Sequence, residues 1–464
     1  MWSGRFRQPL DPEFERWQRS FPYDQRLLPY ELAASRAHAY ALKGVAVLNS
    51  EELITILQGL DQIAALSATP KFLDDNEAED VHHFVEKRLV ALIGDTGFKL
   101  HSGRSRNEQI ATDLRLYVRA NADQLRSFLA DWIDALLDRA DAAGKAAMPS
   151  YTHLQRAEPV LVAHWLLCYV EMFLRDAQRL GAAHKRANLC PLGSGPVAGA
   201  TLPLDRAAIA SALDFDAPTA NSMDATSDRD FVLEFVNTLA ILALHWSRFA
   251  EEMILFSTQE FGFLQLPEAY STGSSAMPQK KNPDLLELMR GKSARIAGQA
   301  NALMIAVKGL PLAYNKDLQE TQEPLFDATE TALAVLPMAA AFTRGIDFNF
   351  PLMDQAAKTG FLNSWAAATY LVRQGVPFRQ AHEQIGKAVQ LCIEKNCELE
   401  NLTPAELQAI NPNFGADFQA ALTLQSVLEV HDVQGGTAPN RVRQSITAAR
   451  AKSAALREAT HVHA

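Results

Sequence analysis

An apolar stripe longer than most single helices sets the limits of this fold. Leu114, Val118, Leu125, Leu129, Trp132 and Leu136 recur at intervals of three, four and seven residues, which is one face of an α-helix. Helical patterning runs on to Gly144, then from Val160 to Ala187, from Asp230 to about Thr258, from Asp284 to Lys308, and again from beyond Glu320 to about Thr343. Segments of roughly 25 to 35 residues would be about 40–50 Å long. Alternating strand patterns are almost absent. An all-α fold built on a long central helical bundle is the architecture these lengths allow. Several segments carry apolar residues on more than one face, which predicts burial inside an oligomer.

Composition narrows the function classes. Of 464 residues, 48% are hydrophobic and 21% charged, as in ordinary globular chains. The net charge of −10 argues against nucleic-acid binding, which favours a basic surface, but leaves room for a local basic pocket. Cys168, Cys190, Cys392 and Cys397 show neither CxxC nor metal-ligand spacing, so they read as reduced, buried thiols in a cytoplasmic protein. The start, Met1-Trp2-Ser3-Gly4-Arg5-Phe6, lacks the apolar core of a signal peptide. No segment reads as apolar enough for long enough to cross a membrane.

Polar stretches interrupt the helical pattern. Ser35 to Leu48 and Glu51 to Ala68 read as amphipathic helices, the second capped by Ser50. Glu79-Asp80-Val81-His82-His83 opens a short helix, Phe84 to Ile93; two adjacent histidines point to different helix faces, so no metal site is expected there. Leu100-His101-Ser102-Gly103-Arg104-Ser105-Arg106-Asn107 is basic and precedes the first long helix. Arginines pair with carboxylates in bidentate fashion, so this loop suits an acidic ligand or simply caps a helix. Pro149 and Pro159 bracket a non-helical segment holding Tyr151-Thr152-His153-Leu154-Gln155, where His153 is either a general acid or base or a structural histidine. Gly273-Ser274-Ser275-Ala276-Met277-Pro278-Gln279-Lys280-Lys281-Asn282-Pro283-Asp284 is a donor-rich loop feeding a helix, with Pro283 expected in the first turn. The same composition also describes a solvated connector.

The order of residues in that loop resembles the signature GSSxMPxKxNP of the fumarase/aspartase superfamily, and MPQKKNPD is similar to its argininosuccinate lyase branch. Further resemblances follow in order: Trp2-Ser3-Gly4-Arg5-Phe6, the region of Ser20, Asp24 and Ser35-Arg36-Ala37-His38, SGRSRN at 102–107, YTHLQ at 151–155, Ser227-Asp228-Arg229-Asp230, and Tyr314-Asn315-Lys316-Asp317-Leu318-Gln319-Glu320. Within this resemblance Asp80 and His82 help to close the substrate pocket. The family usually continues with Asp-Lys where this chain has Thr321-Gln322, so the lysine expected on a substrate carboxylate is missing.

The resemblance implies cleavage of argininosuccinate to arginine and fumarate without metal or organic cofactor. It assigns catalysis to Ser274 as base, His153 as acid, Lys280 and Asn282 as anion stabilisers and Glu287 as the partner of His153. Ser20, Arg106, Asn107, Thr152, Arg229, Tyr314, Gln319 and Gln322 would hold the substrate. It implies a homotetramer with active sites shared between subunits, a cytoplasmic location, and neither nucleic acid nor membrane as partner. Three domains are expected: an N-terminal helical domain over 1–107, the long-helix bundle over 108–345 and a small helical domain over 346–464, with Thr460 to Ala464 frayed. Up-and-down helices would set SGRSRN far from His153 and Ser274 of the same chain, which again calls for several subunits. Alternative readings are a sister lyase acting on another succinyl C–N adduct, which Gln322 motivates, and a crystallin-like structural protein.

Overall fold

A computed structural model describes residues 7–461. The Trp2 to Phe6 stretch lies outside the described residues, as do the last three residues of the Thr460–Ala464 tail. The principal helices are α1 (Leu28–Gly44), α2 (Ser50–Leu66), α3 (Val81–Ile93), α4 (Arg106–Ala143), α5 (Val162–Ala187), α6 (Asp230–Ser257), α7 (Asp284–Val307), α8 (Gln322–Gly345), α9 (Ser364–Arg373), α10 (Phe378–Lys395) and α11 (Pro439–His461). The architecture is all-α, with α4 to α8 forming the long bundle, α1 to α3 on its N-terminal side and α9 and α10 in a smaller C-terminal group.

The longest helix, α4, has 38 residues and is therefore about 57 Å long. Its start is fixed by a capping box between Ser105 and Glu108, and it stops at Gly144, whose φ of 56° favours glycine. One side of it is buried almost continuously. Trp132 stacks at 4.1 Å on Phe173 of α5 and meets Phe249 of α6 at 5.2 Å, while its indole N–H donates to Thr343 Oγ1 of α8 at 2.9 Å. One aromatic side chain thus ties four bundle helices together. The core continues without a break into Phe21, Leu60 and Phe84 on the N-terminal side. A separate cluster, including Leu371, Ile385, Leu399 and Phe418, packs the α9 and α10 group.

Several local expectations are corrected. Helix α1 begins at Leu28 rather than Ser35, because Pro29 is tolerated in the first turn. Asn49, not Ser50, caps α2, in a capping box with Glu52. Pro283 is the cap of α7, and Asp284 its first residue. Phe418–Ala421 and Leu424–Glu429 form two short helices, the second capped by Thr423. Cys190 and Cys392 are buried, but Cys168 is exposed and Cys397 half-buried; all four are free thiols. The segment Lys316–Gly345 is long and apolar enough to span a membrane, against expectation, although most of it is buried in this core.

The bracketed segment at 149–159 is a β-hairpin. Ala147–Thr152 pairs antiparallel with Gln155–Leu161, and the Tyr151 ring leans on Phe256 in the last turn of α6 and on Phe261 beyond its end. Three two-residue pairings complete the strands among the described residues: Leu189–Cys190 with Ala217–Pro218, Leu264–Gln265 with Asp347–Phe348, and Thr272–Gly273 with Lys281–Asn282.

Candidate active site

At the N-terminal end of α4 the chain turns through Ser102 to Ser105. Gly103 makes this turn with φ 72°, which favours glycine, and a Cβ there would also press on the Leu202 side chain, with Cδ1 at 2.7 Å. Glu108 is fully buried and serves two loops: its carboxylate accepts from the Ser105 N–H at 2.9 Å and from the Gly195 N–H at 2.9 Å. Burial raises its pKa against those hydrogen bonds. Asn107, next to it, donates to the Pro196 carbonyl at 3.2 Å. Arg106 donates to Glu79 at 2.9 Å and to Asp80 at 3.1 Å, and Asp80 in turn caps α3 through the His83 N–H.

Glu79, Asp80, Arg106 and Asn107 line an open cleft. From the N-terminal segment come Ser20 and Asp24, from α3 and its cap Asp80 and His82, from the stretch before α8 Tyr314, Lys316 and Gln319, and from the first position of α8 Gln322. The Ser20 hydroxyl donates to Asp24 at 2.6 Å, and the Val81 N–H donates to the other Asp24 oxygen at 3.1 Å. Burial, helped by neighbouring Asp80, pushes the Asp24 pKa up to about 7 despite these bonds. Gln319 is anchored by donation to the Gln18 carbonyl at 3.0 Å, and Lys316 lies 3.5 Å from Glu79. Arg229 is buried next to Tyr314. Burial lowers its pKa to about 10, opposed by Tyr314 and Asp228. Of the residues expected at the substrate, Ser20, Arg106, Asn107, Tyr314, Gln319 and Gln322 share this cleft, and Arg229 stands behind Tyr314.

Behind the cleft lies a buried polar cluster. His82 Nδ1 is 2.8 Å from Glu31 and 3.8 Å from Asp113, and Arg104 Nη1 is 3.7 Å from Glu31. Ser35 and Gln109 also donate to Glu31. Burial alone would raise the Glu31 pKa, but His82 and Arg104 hold it down; burial and Glu31 together push Asp113 well up. Glu31, His82 and Asp113 are the one trio among the described residues close enough, within 4.8 Å, to share a cation. His82 and Arg104 already face the Glu31 carboxylate there, while both Asp113 oxygens and His82 Nε2 are buried without a hydrogen-bond partner.

The other expected residues lie at the opposite end of the bundle. The β-hairpin follows the C-terminus of α4, a full helix length from Asn107. At its tip His153 and Leu154 both take φ near 56°, a conformation that side chains with a Cβ rarely adopt, and Thr152 and His153 are exposed there. The signature loop is tied to the same end, because Leu264 pairs with Phe348 and Arg139 near the end of α4 donates to the Ile346 carbonyl at 2.6 Å. The loop itself is closed by the Thr272–Gly273 and Lys281–Asn282 pairing. Ser274 Oγ accepts from the N–H groups of Ala276 at 3.2 Å and Met277 at 3.1 Å. Asn282 Nδ2 lies 3.4 Å from Thr272 Oγ1, while Lys280 and Glu287 are exposed. In one chain, therefore, Thr152, His153, Ser274, Lys280, Asn282 and Glu287 are absent from the cleft that Asn107 and Gln322 line.

Comparison with known proteins gives this division a context. A lyase family matches residues 4–298, and the argininosuccinate lyase C-terminal family matches residues 361–429. The argininosuccinate lyase of Koribacter versatilis is 60% identical over 464 residues, covering 100% of both chains. The chain belongs to the argininosuccinate lyase family. It is accordingly a carbon–nitrogen lyase. A second relative, the argininosuccinate lyase of Acidobacterium capsulatum, is 59% identical over 97% of this chain and 93% of its own. Among solved structures, an EDDS lyase variant with bound fumarate superimposes with a TM-score of 0.84 at 26% identity, covering 98% of this chain and 93% of that one. The class II fumarase of Schistosoma mansoni shares the fold, with a TM-score of 0.74 at 16% identity over 86% of this chain and 90% of its own.

Expectation from sequence missed Asp24 and Glu79 as members of the cleft. For Asp24 the signal was its place four residues after Ser20, one helical turn away. For Glu79 it was only the neighbouring Asp80.

Proposed function

We propose that this chain eliminates fumarate from argininosuccinate and releases arginine, with Ser274 as the base and His153 as the acid. The proton to be removed lies on a carbon next to a carboxylate. As the C–H bond breaks, its electron pair moves into that carboxylate, which then needs strong donors; Lys280, Asn282 and the N–H groups of the signature loop supply them. The pair returns to form the C=C bond of fumarate, the C–N bond breaks, and His153 protonates the leaving guanidinium nitrogen, directly or through a water. Glu287 orients His153. A serine hydroxyl is too weak an acid to ionise unaided, so loop closure must bring Lys280 and backbone N–H groups to its oxygen. Thr152 and the cleft residues Ser20, Arg106, Asn107, Tyr314, Gln319 and Gln322 hold the substrate, with Arg229 behind them. The scheme calls for no metal or organic cofactor.

The observation that supports this reading is the shared cleft of Ser20, Arg106, Asn107, Tyr314, Gln319 and Gln322, which joins three distant parts of the chain. The separation of this cleft from Ser274 and His153 supports a homotetramer in which each site is completed by neighbouring copies. Exposed Leu244, Leu288, Met304 and Ile305 on α6 and α7 support the same assembly. The reading includes a cytoplasmic location and the division at residues 107 and 345, of which the separately packed α9 and α10 cluster supports the second boundary. Incubating the protein with argininosuccinate and following fumarate by its ultraviolet absorbance tests the proposal. The native chain should release fumarate and Ser274→Ala should lose about 10²- to 10⁴-fold in kcat. If folded native protein releases none, a panel of other succinyl adducts addresses the sister-lyase reading.

A further inference from the structure

We infer that Cys392 and Cys397 form a modification site, at which a hydroperoxide closes a reversible disulfide bond. The site lies in the separately packed α9 and α10 group and does not depend on the proposed reaction. Helix α10 ends in a left-handed turn at Asn396, with φ 50° and ψ 51°. The Asn396 N–H donates to the Ile393 carbonyl at 3.2 Å, and the Cys397 N–H donates to the Cys392 carbonyl at 3.0 Å. Such a helix end brings two side chains five residues apart into contact, usually as an apolar pair. Here both are cysteines. Standard bond lengths and that hydrogen bond hold their Cα atoms within about 7 Å of each other, the limit for a disulfide. The two thiols are in contact, and both pack into the cluster of Leu371, Ile385, Leu399 and Phe418. Cys190 belongs to a different cluster, and Cys168 is exposed on α5.

The two sulfurs take different parts in the reaction. Cys392 is fully buried and Cys397 only half-buried, so peroxide reaches Cys397 first. Burial, and then the contact with Cys397, pushes the Cys392 thiol up to about 12, which also leaves it the poorer first nucleophile. The Cys397 thiolate attacks one peroxide oxygen, the O–O bond breaks, and a sulfenic acid forms while hydroxide leaves and takes up the proton that Cys397 lost. Cys392 then gives up its proton and its sulfur displaces hydroxide from the sulfenic sulfur. The S–S bond forms, the S–O bond breaks, and that proton completes the second water. Two thiols and one peroxide thus become one disulfide and two waters. A thiol pair already in contact makes the second step faster than further oxidation of Cys397, and a thiol reductant reverses the bond. The next residue, Glu398, accepts from the N–H groups of Gly360 at 3.0 Å and Phe361 at 3.2 Å, so the bridge would stiffen the point where this group is fastened to the turn before α9.

The test treats the folded native protein with hydrogen peroxide, blocks the remaining thiols with N-ethylmaleimide in denaturant, and maps the cysteines by mass spectrometry. Trypsin cuts after Lys395, between the two cysteines, so a bridge holds two peptides together. Residues 388–395 should be found linked to the peptide that begins at Asn396, about 2 mass units lighter than the two reduced peptides combined. Dithiothreitol should restore both thiols. Cys392→Ser should stop at the Cys397 sulfenic acid, which dimedone captures, and Cys397→Ser should leave Cys392 reduced. Conversion of Cys397 to its sulfinic acid while Cys392 stays a free thiol overturns the inference. So does a peroxide dose that oxidises exposed Cys168 and leaves both thiols free. The native chain alone decides between these outcomes, whether or not either variant folds.

Discussion

The Glu108 carboxylate holds the Gly195 N–H at 2.9 Å across 87 residues of sequence, and through it the cap of the longest helix is fastened to the loop that carries Pro196. That loop is also where Asn107 finds its partner, so Glu108 sets the position of a cleft residue without facing the cleft itself. Glu108→Ala leaves the Ser105 and Gly195 N–H groups unpaired in a buried place and should cost about 2–4 kcal/mol in urea unfolding. Glu108→Gln, which can keep one acceptor, should cost less. Equal losses in the two variants would mean that packing, not hydrogen bonding, is what Glu108 contributes.

Trp132 is the next point of leverage. Its ring is fully buried against Phe173 and Phe249, and its N–H is spent on Thr343. Trp132→Ala should cost about 3–5 kcal/mol, whereas Trp132→Phe, which keeps most ring contacts and removes only the indole bond to a Thr343 hydroxyl that still donates to the Ala339 carbonyl, should cost clearly less. Thermal melts of both variants measure the difference.

Asp24 makes the pH dependence of stability directional. Its folded pKa of about 7 lies above the value of an unfolded aspartate, about 3.9. Between those two values the folded chain keeps a proton that the unfolded chain has released. Stability therefore falls as pH rises across that window and changes no further, through this group, above about 7. Asp24→Asn should remove the slope, gaining about 4 kcal/mol over native at pH 8 and almost nothing at pH 4. Denaturant unfolding of both proteins at the two pH values tests it. A gain that is the same at both would place the cause outside this carboxyl group.

What the sequence made legible follows from how local each signal is. The stripe from Leu114 to Leu136 is written in one stretch of chain, so α4 and its neighbours were readable to within a few residues. The hairpin was not. Pro149 and Pro159 read as breakers, and the turn at His153 and Leu154 uses positive φ without the glycine or asparagine that announces it. The cleft residues were named from motif order alone, but nothing local said that Gln322 would be buried with an unpaired oxygen. Nor could it say that Asp24 would meet the Val81 N–H 57 residues away. Burial is a property of the assembled core, and the pKa of Asp24 follows from burial.

The distance between Asn107 and Ser274 leads to the last prediction. Asn107 starts a helix of 38 residues, and the signature loop is fastened near the far end of that helix through Arg139 and Ile346. About 48 Å of helix separates Asn107 from Arg139, and the proposed reaction therefore takes the two residues from different subunits. Asn107→Ala and Ser274→Ala should each be nearly inactive alone. Mixed in equal amounts, dissociated and allowed to reassemble, they should recover about a quarter of native activity, because a site then takes Asn107 from one subunit and Ser274 from another with independent odds. Sites built within single chains would give none, since every chain carries one defect. Fumarate release before and after mixing decides between the two, and size-exclusion chromatography of the mixture shows that reassembly took place.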